Sequence, residues 1–327
     1  MNQPLVSVVI VCHNDWPHLE LAIESALCQS HPAVEVIVVD NASADQTESE
    51  IRSRYIDRVR YVRQGPMGAA GGRNAGFALA RGKYIQILDG DDMLAPNKIA
   101  VQVAYLEANP DIDIAYGDFR TFRSTPDVPA DSLVDIDTED YPDMKKLLMG
   151  RCPGPPIIFL FRRTVVDRAG WQSNDIYYED YEYWIRCAFA NCRFARTPGA
   201  WVFYRRRYGQ KSEHLNRAAL AELEVLRRAR TYVVEEPYKK QLAEKISRLE
   251  YAFAHYYLWT GDLTNARQFL AAALQSAPPH LRFSQSRVVG WLSKLSIGPV
   301  VYGLIRRMRR LPPPFAPVSV RAKAAAA

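Results

Sequence analysis

The sequence predicts an α/β protein: an open sheet flanked by helices, followed by a small all-helical domain and a basic tail. Three observations carry this. Short β-branched apolar runs alternate with helical patterns through the first half, and two of those runs end on a carboxylate. After about residue 214, glycine and proline become rare while Ala, Leu, Tyr and Arg recur at helical spacing. The expected domains are 1–214, 215–278 and 279–327. A length of 327 residues agrees with about two domains at ~150 residues each.

Residues 6–12 are almost wholly apolar, as a strand buried on both faces requires. Leu19, Ala22, Ile23, Ala26 and Leu27 then mark one face of a helix. EVIVVD (35–40) is a second buried strand ending on Asp40, and NASADQT opens another helix with Ser43 or Asp45 as the N-cap. Residues 58–63 give a third strand. The glycine-rich GPMGAAGGRNAG leads into a helix around 77–80, and KYIQIL (83–88) is a fourth strand ending on Asp89. Ligands of open α/β sheets bind at the carboxyl ends of the strands, so Asp40 and Asp89 are expected to address one crevice.

Farther along, PGPPIIFLFRR reads as a Pro-led strand, and DIYYEDYEYWIRCAFA as a helix that starts with acids and buries Trp184, Ile185, Ala188 and Phe189. Residues 127–143 carry seven acids and no base, which reads as a solvated surface loop. In the helical domain, GDLTNARQFLAAALQSAP resembles the second helix of a tetratricopeptide repeat, with a turn at Gly261 and Ala266, Leu270, Ala273 and Leu274 at packing positions. A single unit of this kind reads as a packing appendage.

Composition excludes several classes. With 48% apolar and 24% charged residues, the chain is neither disordered nor a polytopic membrane protein. The net charge of +6 belongs to the tail: residues 276–327 hold nine Lys/Arg and no acid, so the body gives no electrostatic case for nucleic acid. Five cysteines without a CxxC pair and six histidines without HExxH spacing read as reduced thiols with no structural zinc. The N-terminus lacks a basic n-region and a cleavage site. The chain is therefore expected to be cytoplasmic. In the tail, Lys294 and Pro299 interrupt an apolar run too short for the ~20 residues a span needs. Two readings remain for it: a helix lying on an anionic membrane face, or docking onto the protein itself.

Two constellations carry chemistry. In Asp89-Gly90-Asp91-Asp92, two carboxylates one residue apart at a strand end suit a hard divalent cation, with Gly90 permitting close approach. Asp92 also reads as a cap for a helix over 96–103. In YYEDYEYW, Glu179 and Asp180, with Glu182 nearby, are adjacent acids that raise one another's pKa and leave one as a general base. The plainer reading is acids favouring a helix's first turn.

SVVIVCHN, VVDNASAD, GAAGGRNAGFALARGKYIQILDGDD and YYEDYEYWIRCA, in that order within residues 5–212, resemble the family 2 glycosyltransferases of the GT-A fold. The resemblance implies a Rossmann-like open mixed sheet, a nucleotide-diphospho-sugar donor (usually UDP-linked), a divalent cation (Mn²⁺ or Mg²⁺) and inversion at the anomeric carbon. It assigns Asp40 to the donor's base, Arg73 to the nucleotide site, Asp89 to the ribose and metal, and Asp91 to the metal. Asp180 matches the catalytic base with Glu179 beside it, and Trp184 matches an aromatic that follows. The chain departs from the pattern at YRRRYGQKS, where Arg207 stands in place of a metal-binding histidine; arginine does not ligate cations but pairs with a diphosphate. His214 follows seven residues later. No motif reads the acceptor; the basic tail, on its membrane-facing reading, favours a glycan or lipid-linked precursor of a surface polysaccharide.

Rival readings fit less well. A haloacid-dehalogenase-like phosphatase expects Thr or Val where Met93 stands, and its DxD belongs on the domain's first strand. GAAGGRNAG does not keep the GxGxxG spacing of a dinucleotide site. A non-catalytic scaffold of the same fold, using its helical appendage for partners, is the alternative from another class.

Overall fold

The computed structural model describes residues 3–16, 18–123, 134–136, 138–206, 215–277 and 302. Arg207, His214, most of the acidic run at 127–137 and the tail apart from Tyr302 lie outside the described residues. The chain divides into two units, Met1–Tyr208 and Gly209–Ala327.

In the first unit the strands are β1 (Val6–Cys12), β2 (Val34–Asn41), β3 (Arg60–Gln64), β4 (Tyr84–Asp89), β5 (Met93–Leu94), β6 (Ile114–Arg123), β7 (Val134–Ile136), β8 (Phe159–Arg162) and β9 (Phe194–Arg206). The helices are α1 (His18–Leu27), α2 (Thr47–Arg54), α3 (Gly68–Leu79), α4 (Lys98–Ala108), α5 (Met144–Leu148), α6 (Thr164–Ala169) and α7 (Glu179–Phe189). The sheet runs β3-β2-β1-β4-β8-β6-β9-β5, with β7 beside β6. β1 is parallel to β2 and β4, and β2 to β3; β8 is antiparallel to β4 and β6, whereas β9 runs parallel to β6. This is an open mixed sheet flanked by helices, as expected. Chain order reverses at β1, which has β2 on one side and β4 on the other, and such a switch point opens a crevice at the carboxyl ends.

β1 is buried along its whole length, and β2 and β4 nearly so, which explains their continuous apolar runs. α3 lies close on β1 because Gly72 and Gly76 carry no side chain there. A Cβ on Gly76 would stand 2.1 Å from Val9 Cγ1, and one on Gly72 2.5 Å from Val11 Cγ1. The glycine run is thus a helix–sheet contact.

Local starts differ from the sequence expectation. α2 begins at Thr47 after Gln46, not at Ser43 or Asp45, although Asp45 Oδ1 still accepts from the Thr47 amide at 3.1 Å. α4 begins at Lys98 after Asn97, so Asp92 is not its cap.

The second unit contains α8 (Leu215–Ala229), α9 (Tyr238–Thr260) and α10 (Leu263–Ser276). Gly261 takes φ +93° and closes α9; Asp262 then caps α10 by accepting from the Asn265 amide at 3.0 Å. Ala266, Leu270 and Ala273 are buried as the repeat-like pattern predicts, whereas Leu274 is exposed. Buried Glu250 ties the three helices, accepting from Arg227 of α8 at 2.7 Å and Ser276 of α10 at 2.5 Å. Tyr302 packs against Ala254, Leu258, Ala266 and Leu270. At that residue the tail docks on its own unit.

Candidate active site

Asp40 pairs in register with Cys12, and Asp89 with Val11. Side chains of paired residues share a face and successive residues alternate, so the one-residue offset sends the two acids to opposite faces of the carboxyl edge. Both stand at the carboxyl edge beside the switch point at β1, one on each face of the sheet. Asp40 is fully buried; its Oδ1 accepts from the Ser43 amide at 2.8 Å and its Oδ2 from the Tyr61 hydroxyl at 2.6 Å, with Arg63 Nη1 at 3.5 Å.

On the Asp89 face the chain assembles a compact charge cluster. Arg73 of α3 is 3% exposed; its Nη2 donates to Asp89 Oδ1 at 2.8 Å and its Nη1 to Glu179 Oε1 at 3.2 Å. Burial pushes the guanidinium down, but the carboxylates of Asp89, Glu179 and Asp180 outweigh it and hold its pKa above the ordinary value. Glu179 and Asp180 open α7, where the helix N-terminus favours negative charge. Asp180 is half-buried, and its Oδ1 accepts from the Tyr181 amide at 2.8 Å. Burial first, and then the Glu179 carboxylate, raise its pKa to about 6 against the pull of Arg73. The same Asp180 carboxyl, after burial, pushes the Cys152 thiol up.

The loop after β4 is held from two sides. The Gly90 amide donates to Val11 O at 3.0 Å, and a Cβ there would lie 3.0 Å from Cys12 Cβ, so the close approach is to β1. Asp92 Oδ1 accepts from the Arg205 amide of β9 at 2.7 Å, and Arg205 Nε donates to Asp91 O at 2.8 Å. The Arg205 guanidinium lies over the Phe122 ring, 4.5 Å from its centroid. Asp92 Oδ2 is buried with no hydrogen-bond partner among the described residues, and burial followed by Asp91 and Asp89 raises this carboxyl well above its ordinary pKa.

Among the described residues no three His, Cys, Asp or Glu side chains form a ready metal cage. Two carboxylates, Asp89 with one oxygen on Arg73 and half-buried Asp91, are the donor set that Mg²⁺ or Mn²⁺ uses when phosphates and water complete its shell. The residues present fit such an ion.

Two expected neighbours of the site prove structural. Trp184 is fully buried, its ring 4.1 Å from that of Phe159. Glu182 is buried against Arg186 at 2.9 Å and accepts from Ser173 Oγ at 3.1 Å. Gln172 was not singled out by sequence: the Asn74 side chain clamps its backbone, donating to Gln172 O at 2.8 Å and accepting from its amide at 2.9 Å. Gln172 Oε1 in turn accepts from Arg73 Nη1 at 3.4 Å. No spacing announces a contact between residues about a hundred positions apart.

The sequence profile described as Glycosyl transferase family 2 matches residues 7–168. The chain belongs to glycosyl transferase family 2. The matched stretch of this glycosyltransferase includes Asp40, Arg73, Asp89 and Asp91 and ends before α7. The chain is 25% identical over 236 residues to the Escherichia coli UDP-Glc:alpha-D-GlcNAc-diphosphoundecaprenol beta-1,3-glucosyltransferase WfaP, covering 68% of this chain and 86% of WfaP. Its fold is similar to that of S. aureus TarS 1–349 in complex with UDP-GlcNAc, with TM-score 0.66, 16% identity and 92% of each chain covered. It is also similar to the mannosyltransferase PcManGT of Pyrobaculum calidifontis in complex with GDP-Man and Mn²⁺, with TM-score 0.56, 19% identity and 93% and 88% covered. Some curated relatives are matched over much less of their length, 17% for an uncharacterized glycosyltransferase of Rickettsia bellii.

Proposed function

We propose that this family 2 glycosyltransferase moves a sugar from a UDP-sugar to an acceptor hydroxyl with inversion, and that the acceptor is a glycan or lipid-linked saccharide in cell-surface polysaccharide or glycolipid synthesis. The observation that carries the reading is a carboxyl with pKa about 6, Asp180, standing beside the Arg73–Asp89–Glu179 cluster at the head of a helix. WfaP, whose name specifies a UDP-Glc donor and a diphosphoundecaprenol acceptor, supports this choice of donor and acceptor.

In this reading Asp180 accepts the proton of the attacking hydroxyl. Its raised pKa keeps it basic enough to hold that proton yet ionised at neutral pH. Glu179 supplies part of the rise and is itself held by Arg73. Arg73 also fixes Asp89 by one oxygen, leaving the other for the donor's ribose and the cation. Asp40 takes the base end of the donor by exchanging its Tyr61 hydroxyl for a base N–H. Arg207 pairs with the diphosphate. Asp91 and Asp89 hold Mn²⁺ or Mg²⁺, which when bound supplies positive charge where the leaving diphosphate gathers negative charge. PcManGT, solved with Mn²⁺, supports the choice of ion. One base and one in-line displacement invert the anomeric centre. The basic tail contacts an anionic membrane where a lipid-linked acceptor would lie.

The test is release of UDP by the purified chain from a panel of UDP-sugars with lipid-linked and free glycan acceptors. Release that needs Mn²⁺ or Mg²⁺, stops with EDTA and is lost in Asp91→Ala is expected. Nucleotide-sugar binding without turnover on any acceptor would instead identify a scaffold.

A further inference from the structure

Gln172 is 3% exposed, yet its Nε2 meets no hydrogen-bond partner among the described residues. The orientation of its amide is decided by chemistry: the Arg73 Nη1 donor at 3.4 Å requires an acceptor, which places Oε1 there and turns the two N–H groups of Nε2 away. The backbone on which this side chain stands is fixed by both hydrogen bonds from Asn74. Arg73 Nε, two bonds from the nitrogen that touches Gln172, is likewise buried without a partner among the described residues. Each of these buried N–H donors is costly to leave open unless an oxygen acceptor reaches it in use.

The charge around them selects the kind of oxygen. Three carboxyls, Asp89, Glu179 and Asp180, surround the single Arg73 guanidinium. An anionic phosphate would be repelled there, whereas a neutral hydroxyl is not. We infer that Gln172 is a specificity residue whose Nε2 donates a hydrogen bond to a hydroxyl of the transferred sugar, with Arg73 Nε as a second donor. This rests on the glycosyltransferase reading.

A site built to hydrogen-bond a hydroxyl rejects analogues that lack or misplace it, because its own polar group is then left unpaired. Gln172 would therefore sort sugars by the configuration of one carbon and be indifferent to the nucleotide.

The experiment is calorimetric titration of the full chain with UDP, UDP-glucose, UDP-galactose and UDP-N-acetylglucosamine in the presence of Mn²⁺, for wild type, Gln172→Met and Gln172→Glu. Gln172→Glu keeps an acceptor for Arg73 and replaces the donors by a carboxylate, whose added charge the UDP titration reads separately, so the pair of titrations decides the matter if Gln172→Met does not fold. Affinity for the preferred UDP-sugar is expected to fall roughly 5- to 100-fold while that for UDP changes less than about 2-fold. Discrimination between sugars should narrow in parallel. An unchanged ratio of UDP-sugar to UDP affinity means that Nε2 meets no hydroxyl of the sugar, and overturns the inference while leaving the glycosyltransferase reading intact. If wild type binds neither UDP nor any UDP-sugar, that reading fails and this inference with it.

Discussion

Asp180 titrates where opposing influences meet: burial and Glu179 favour its neutral form, while Arg73 and the Tyr181 amide favour the charged one. If it is the base, kcat/KM should fall on the acid side with a midpoint near pH 6, and Asp180→Asn should lose about 10²–10⁴-fold in kcat. The same shift has a sign for stability. A carboxyl raised in the folded state binds more protons there than in the unfolded chain, so its contribution falls as pH rises from the ordinary value of ~3.9 to about 6. Asp180→Asn is therefore expected to raise the Tm at pH 7 while abolishing turnover. An acid limb near pH 4, or a lowered Tm, would remove Asp180 from the role. The carboxylates of this site were legible because acids at a strand end and a helix start are visible in sequence. Gln172 and the Asp92–Arg205 link were not, because their meaning comes from contacts 98 to 113 residues distant.

At the scale of elements, the strands that could be read were the ones buried on both faces: β1, β2 and β4 are continuous apolar runs. β6 and β9 escaped notice because IAYGDFRTFR and FARTPGAWVFYRR mix arginines, glycine and proline with aromatics. Their pairing follows from each other and from β8, not from local pattern. The seating of α4 was equally invisible. Its first residue, Lys98, is fully buried and donates through Nζ to Gln86 Oε1 of β4, while Gln86 Nε2 donates to Ile157 O at 2.8 Å. Burial lowers the Lys98 ammonium well below its ordinary pKa. The unfolded chain then binds one more proton between that lowered value and ~10.4, so stability rises with pH through this window by up to ~1.4 kcal/mol per unit. Lys98→Met should flatten that part of the rise, read by urea unfolding at a series of pH values below ~10.4. An unaltered slope would mean that Lys98 stays charged in its pocket.

For the whole chain, charge and fold are distributed unequally. The sheet unit carries the candidate site, whereas the nine bases of residues 276–327 stand without an acid among them. Tyr302, midway along that stretch, packs on the α9–α10 cluster, and its hydroxyl pairs with His255 Nδ1. Docking and membrane contact need not compete, since one aromatic anchor leaves Arg306, Arg307, Arg309 and Arg310 a few residues beyond it. Bases near an anionic surface each contribute about 1 kcal/mol, and salt shortens their reach from ~10 Å at 0.1 M to ~3 Å at 1 M. The full chain is therefore expected to sediment with phosphatidylglycerol vesicles at ~0.1 M salt, to be released near ~1 M, and to ignore phosphatidylcholine vesicles. Replacing those four arginines by serine keeps Tyr302 in place and should abolish sedimentation without altering UDP release from a soluble acceptor. Equal sedimentation of the serine variant would take membrane contact away from these four arginines, and none by either protein would assign the tail to docking alone.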